Sequence, residues 1–276
     1  MASIPGDEAH SSCSNGRSVC FSTRNEADRL IGLPFRFDKK KRIQMSPSPK
    51  QASRRTTRHE LDSLVVNIEL TLSSIIQGVA LSVLTESARG PLGDLRFDQW
   101  PYVLNGLLII LLFWSRSVAH TLTLIRWPLE FGHNFFYITC TLVEGVTFTD
   151  LTDPLRWYAF NAAFAILVWS LFLFDLRLIR QRQEEARGPG ERELYALILK
   201  DQRMNIFLLV PGIILFNFAA MTTIYCWPEL LIQKNGHVAF ATAQAISSAG
   251  YLAYVLRFFS PLAPKILKAN LEETTE

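Results

Sequence analysis

Two stretches of this chain, residues 157–174 and 206–227, run the width of a bilayer without one charged side chain. A helix crossing the hydrocarbon core needs about 20 apolar residues. Only helices and closed barrels cross it, because every backbone polar group there must be satisfied internally. Four more segments reach comparable length with few interruptions. The six run from about 61 to 84, 100 to 126, 131 to 148, 155 to 174, 205 to 227 and 237 to 256. The third is the weakest, being short and carrying Glu144. The expected fold is therefore all-α, a polytopic membrane protein built as a bundle of six transmembrane helices.

Composition agrees with that reading. Hydrophobic residues make up 49% of the chain and charged residues 19%, below the roughly 25% charged of soluble domains. Twelve of the 28 Lys and Arg fall in the first 60 residues. This distribution excludes an ordinary water-soluble enzyme and a chain disordered throughout. The expected organisation is a disordered basic tail over 1–59, a transmembrane domain over 60–258, a charged loop over 175–204 and a C-terminal tail over 259–276. Met45 offers an alternative start, which would make residues 1–44 dispensable.

Orientation follows from the basic residues of the connections, which favour the cytoplasmic side. The N-terminal tail, Arg126, the loop from Arg177 to Arg203 and the tail from Arg257 lie on one side; Arg89, Arg96, Arg156 and Lys234 lie on the other. Both termini are expected in the cytoplasm, as an even span count requires. The expected location is a bacterial inner membrane or a plasma membrane. Trp100, Tyr102, Trp127, Trp157, Tyr158, Tyr225 and Trp227 sit where aromatic rings meet headgroups. Residues 1–59 contain no apolar core of a signal peptide. Lys39-Lys40-Lys41-Arg42 could touch anionic lipid headgroups or simply form a solvated flank. No nucleic-acid partner is expected; a homo-oligomer in the lipid bilayer is.

Charged side chains inside the spans are costly and mark pairs, water or pathways. Glu69 lies roughly 12 Å from the cytoplasmic end of the first span, Arg116 roughly 15 Å deep and His120 roughly 9 Å deep in the second. Glu69, Ser73 and Gln77 recur every four residues, and Arg116 and His120 are four apart, so each set shares a helix face. These positions suggest a Glu69–Arg116–His120 cluster. A second layer, nearer the outside, would hold Glu144, Asn161, Asn217 and Gln244. The simpler reading of Gln77, Asn161, Asn217 and Gln244 is interhelical hydrogen bonding. Gly145, Gly212 and Gly250 would allow close helix approach. Pro211 inside the fifth span suggests a kink, and Leu194, Leu197 and Ile198 suggest a short amphipathic helix leading into it.

No nucleotide loop, dinucleotide fingerprint, nucleophile elbow or zincin motif occurs. His120 and His133 are thirteen apart on different expected helices, and Cys13, Cys20, Cys140 and Cys226 form no ligand spacing. Neither a metal nor another cofactor is expected, and no enzymatic role. The layout has Trp114 and His120 in the second helix and a long basic loop before a Pro-Gly fifth helix. It resembles, in architecture, the small six-helix filterless potassium channels of lysosomes and bacteria. That family carries Arg followed by Phe-Ser-Asp in its first helix; here the first helix reads NIELTLSSIIQ from Asn67 to Gln77, so no pore residue transfers. Two functions are expected to compete. One is a small oligomeric channel or transporter for cations or protons, using Glu69, Arg116, His120 and Glu144. The other is a membrane anchor, sensor or scaffold whose tail and 175–204 loop bind a partner.

Overall fold

The computed structural model describes residues 49–124, 131–186 and 188–275. The tail through residue 48, with the Lys39–Arg42 run and the first two cysteines, lies outside the described residues, as does the connection over 125–130. The described chain is almost wholly helical: α1 (Pro49–Gly93), α2 (Trp100–Leu124), α3 (Phe131–Thr149), α4 (Pro154–Glu185), α5 (Pro189–Met204), α6 (Val210–Cys226) and α7 (His237–Thr275). Four helical stretches are long and apolar enough to cross a membrane: Glu60–Gly93, Trp100–Leu124, Pro154–Glu185 and Pro189–Cys226. By composition α3 and α7 fall outside that set. The α3 helix carries His133, Asn134 and Glu144, and α7 interrupts its apolar residues with Thr242, Gln244, Ser247 and Ser248.

The helices extend beyond the expected spans. The α1 helix begins at Pro49, inside the stretch expected to be disordered. The reason is that Lys, Gln, Ala and Arg favour helix, and a helix anchored in the bundle propagates cheaply into such residues. The 175–204 stretch expected as a loop is mostly helix, shared between α4 and α5. Pro189 starts α5, and the amphipathic helix expected around Leu194 is present there. Asp153 caps α4, accepting a hydrogen bond from the Arg156 backbone N at 3.1 Å, and Pro154 follows at the position where its missing N–H costs nothing.

Neighbouring chain segments alternate in direction, so connections fall at two ends. At the end holding the 94–99, 150–153 and 227–236 turns, Leu84, Tyr102, Phe148, Trp157, Tyr158 and Ile224 form one apolar cluster. At the opposite end Leu124, Ile179, Leu194, Tyr195, Ile198 and Leu262 form another. Between them the usual distribution is inverted. Glu69, Gln77, Glu144, Asp175 and Asp201 are buried, whereas Ile75, Leu107, Phe135, Leu142 and Leu215 are exposed. A surface this apolar suits hydrocarbon rather than water; this is a membrane protein.

A π-helical turn, Asn205–Leu209, joins α5 to α6 without a break. Pro211 lies just beyond it, so the expected distortion is present. In a π-turn the N–H of residue 211 would bond the carbonyl of Ile206, five residues back, and proline has no N–H. The Trp169 indole takes the vacancy, donating from Nε1 to the Ile206 oxygen at 2.9 Å. Replacing Trp169 with Phe keeps a ring and orphans that carbonyl. The variant is expected to lose about 1–3 kcal/mol, read as a lower thermal midpoint in detergent; an unchanged midpoint would show that the indole does not cap the carbonyl.

Candidate functional site

On α2, α4 and α5, as on α1 and α3, an acidic or basic group sits on the stripe that faces the bundle interior. On α2 the stripe is Phe113, Arg116, Ser117, His120 and Leu124, and these residues line one cavity. On α4 Asp175 sits among Leu171, Phe172, Leu176 and Ile179, all buried. On α5 Asp201 continues the buried series Leu194, Tyr195 and Ile198. Helical spacing thus forces both carboxylates inward with their apolar neighbours.

Each finds partners there. Arg116 Nη1 lies 2.7 Å from Asp201 Oδ2, with both side chains nearly buried. Tyr254 donates to Asp201 Oδ1 at 2.7 Å. Asn205 Nδ2 donates to Asp201 Oδ2 at 3.1 Å and holds Tyr251 OH on its own oxygen at 2.6 Å. The guanidinium also lies 5.6 Å above the Phe172 ring and 6.0 Å above the Tyr251 ring, distances at which a ring face attracts a cation. Asp175 faces two imidazoles: His133 Nδ1 at 2.9 Å from Oδ1 and His120 Nδ1 at 3.4 Å from Oδ2. The two rings stack with centroids 4.2 Å apart and planes 5° from parallel.

From His133 a polar column continues along α1 and α3. Tyr137 stacks on His133. Its hydroxyl lies 2.8 Å from that of Ser73, which lies 3.0 Å from that of Ser117. One turn further Gln77 Nε2 reaches Thr141 and the Glu144 carboxylate, each at 3.4 Å. Beside the start of this column a cavity of about 50 Å³ is lined by Arg116, Ser117, His120, His133, Asp175 and Asp201 among others. That volume holds a few waters. Arg116 Nη2, His120 Nε2, Gln77 Oε1 and Glu144 Oε1 are buried and have no hydrogen-bond partner among the described residues.

The expected Glu69–Arg116–His120 cluster does not form. Glu69 turns to α3, accepting from Asn134 Nδ2 at 2.6 Å, while Arg116 and His120 turn to Asp201 and Asp175. The cause is the helix order: α3 packs on the face of α1 that carries Glu69, and the acidic partners of α2 come from α4 and α5. The expected outer layer is also dispersed. Gln77 is the partner of Glu144. Asn161 and Asn217 donate to the carbonyls of Trp157 and Ile213 in their own helices. Gln244 accepts from the Trp157 indole at 3.0 Å. Gly145, Gly212 and Gly250 have open space where a Cβ would stand, so they mediate no close approach. Gly106 does: a Cβ there would meet Leu84 Cδ1 at 2.7 Å, and one at Gly132 would meet the Phe174 ring at 2.7 Å.

Sequence reasoning did not single out Asp175, Asp201 or Tyr137, and it set His133 aside because it lies thirteen residues from His120 on another helix. The available signal was an acidic residue on an apolar stripe of period 3.6; assigning 175–204 to a loop hid it. Comparison of the chain with protein-family models, curated proteins and solved structures finds no match in any of the three.

Removing one partner of a buried ion pair strands the other charge, at a cost of about 3–5 kcal/mol. Arg116→Met and Asp201→Asn are each expected to lower the thermal midpoint sharply. The double variant should lose less than the sum of the two. Strictly additive losses would show that the two side chains do not depend on each other.

Proposed function

We propose that the protein is a multi-pass membrane transporter that moves protons or small cations along this polar column. All six expected spans cross the bilayer in this reading, with both termini cytoplasmic. Support for α3 as a lipid-facing span is its outward stripe of Phe131, Phe135, Ile138, Leu142 and Val146, all exposed at helical spacing. Support for the orientation is the basic stretch between Arg177 and Arg203 at the end where α4 stops and α5 starts.

The observation that carries the reading is the alignment of buried polar groups in one column, two hydrogen-bonded groups and a stacked imidazole pair in succession. The column runs from the Asp175 imidazoles through Tyr137, Ser73 and Ser117 to Gln77 and Glu144, inside one chain. Imidazoles, hydroxyls and carboxylates can pass a proton, and the hydroxyl, amide and carboxylate oxygens can be ligands to a cation. Intramembrane carboxylates and imidazoles are expensive and are retained mainly for such work. Beyond Glu144 the column meets Leu84, Tyr102 and Phe148, all buried in the apolar cluster. Passage therefore requires those side chains to move, which favours a gated transporter over an open pore. A homo-oligomer would repeat the pathway in each protomer, and no catalytic role is needed.

The test is flux of protons and of potassium into liposomes carrying the purified protein. Wild type should show gradient-driven flux, and Glu144→Gln should lose most of it while still inserting. Absence of flux under every gradient and pH would overturn the proposal and favour the anchor or scaffold reading, in which the tail and the α4–α5 segment bind a partner.

A further inference from the structure

We propose that His120, His133 and Asp175 form a binding site for a divalent transition-metal ion at the cavity end of the column. One ligand atom from each of the three residues lies within 4.8 Å of the others. Metal bonds to imidazole nitrogen and carboxylate oxygen are about 2.0–2.2 Å long, so ligand atoms on one ion stand at most about 4.2 Å apart. At tetrahedral angles the spacing is about 3.4 Å, so binding draws the three atoms together by up to about 1.4 Å and turns at least one imidazole out of the parallel stack. Both Nδ1 atoms already point at the carboxylate, at 2.9 and 3.4 Å from its two oxygens.

Charge favours a cation at this place. Asp175 and Asp201 bring two negative charges to the cavity wall, and Arg116 brings one positive charge, held at 2.7 Å by Asp201. With neutral imidazoles the three together keep one negative charge, and it resides on Asp175, the residue away from the guanidinium. An ion bound between the imidazoles and Asp175 neutralises a carboxylate that is buried on α4 beside buried Leu171, Phe172, Leu176 and Ile179. The buried Nε2 of His120 has no hydrogen-bond partner among the described residues, so that ring can reorient on binding without breaking a bond there.

Two nitrogens and one oxygen form a donor set of borderline softness. It suits zinc, cobalt, iron or nickel rather than magnesium or calcium, which take oxygen alone. Three protein ligands leave a position for water, as zinc sites with an open fourth position do, and the adjoining cavity has the room. As the cargo or regulator of the proposed pathway the ion rests on that reading. Its binding is measured in detergent without any flux, so either can fail alone.

The experiment titrates purified full-length protein with Co²⁺ and follows its visible ligand-field absorption. Thermal midpoints with and without Zn²⁺ are measured in parallel. Wild type and Trp169→Phe, which lies outside the site, should saturate at one ion per chain and gain thermal stability from Zn²⁺, since a ligand of the folded state stabilises it. His120→Phe and His133→Phe keep the ring stack and remove a ligand. Each should weaken binding by more than the roughly 10–100-fold cost of losing a second-shell partner, with the Zn²⁺ effect abolished. Asp175→Asn should do the same; because it could misfold, the two Phe variants decide the matter. No saturable spectrum in folded wild type, or an equal one in both Phe variants, overturns the site.

Discussion

The pairing of Arg116 with Asp201 fixes how α2 and α5 meet beside the apolar cluster that Leu124 shares with Leu194, Tyr195 and Ile198. It joins α2 to α5, and through Tyr254 and Asn205 it draws in α7 and the π-turn that leads to α6. Its strength comes from the absence of water: a guanidinium or a carboxylate alone in an apolar bundle is costly, so neither helix can rotate away without stranding a charge. Arg116 also sets the register of α2. With that residue turned toward α5, His120 one turn on faces α4, and Asp175 is there to meet it.

The remainder of the interior follows from the same demand for internal partners. Hydroxyl and amide groups on α1 and α3 have no water to turn to, and they link into a column between two apolar clusters. The column is nearly satisfied, with a few orphan atoms: Gln77 Oε1, Glu144 Oε1, His120 Nε2 and Arg116 Nη2. A network kept only for stability gains nothing from leaving such atoms bare. These four lie along the column or at the cavity beside it, while Asn105 Oδ1, Tyr158 OH and Asn217 Oδ1 lie elsewhere.

Much of this was legible before any coordinates. Glu69, Arg116, His120 and Glu144 stand out because a charge inside an apolar window has no cheap alternative to burial or pairing, and Glu69 and Glu144 are buried while Arg116 and His120 are nearly so. Pro211 likewise announced a distortion that the π-turn and the Trp169 indole accommodate. What could not be read was who meets whom. Asp175 and Asp201 lie in a segment rich in Arg and Glu, and such a segment reads as solvated until its helical phase is known. The glycines misled for a related reason: small size permits close approach but does not say which face has a neighbour.

By itself the sequence determined that this is a helical membrane protein, where its most apolar helices run and that Glu69, Arg116, His120 and Glu144 would be trapped among them. Those properties are set by segment length and transfer energy, which act on each residue locally. The tertiary structure alone decided the pairings of Arg116 with Asp201, of Glu69 with Asn134, and of His120 and His133 with Asp175. Pairing depends on the order and rotation of whole helices, and a helix turned by one residue, about 100°, would present a different side chain to the same neighbour.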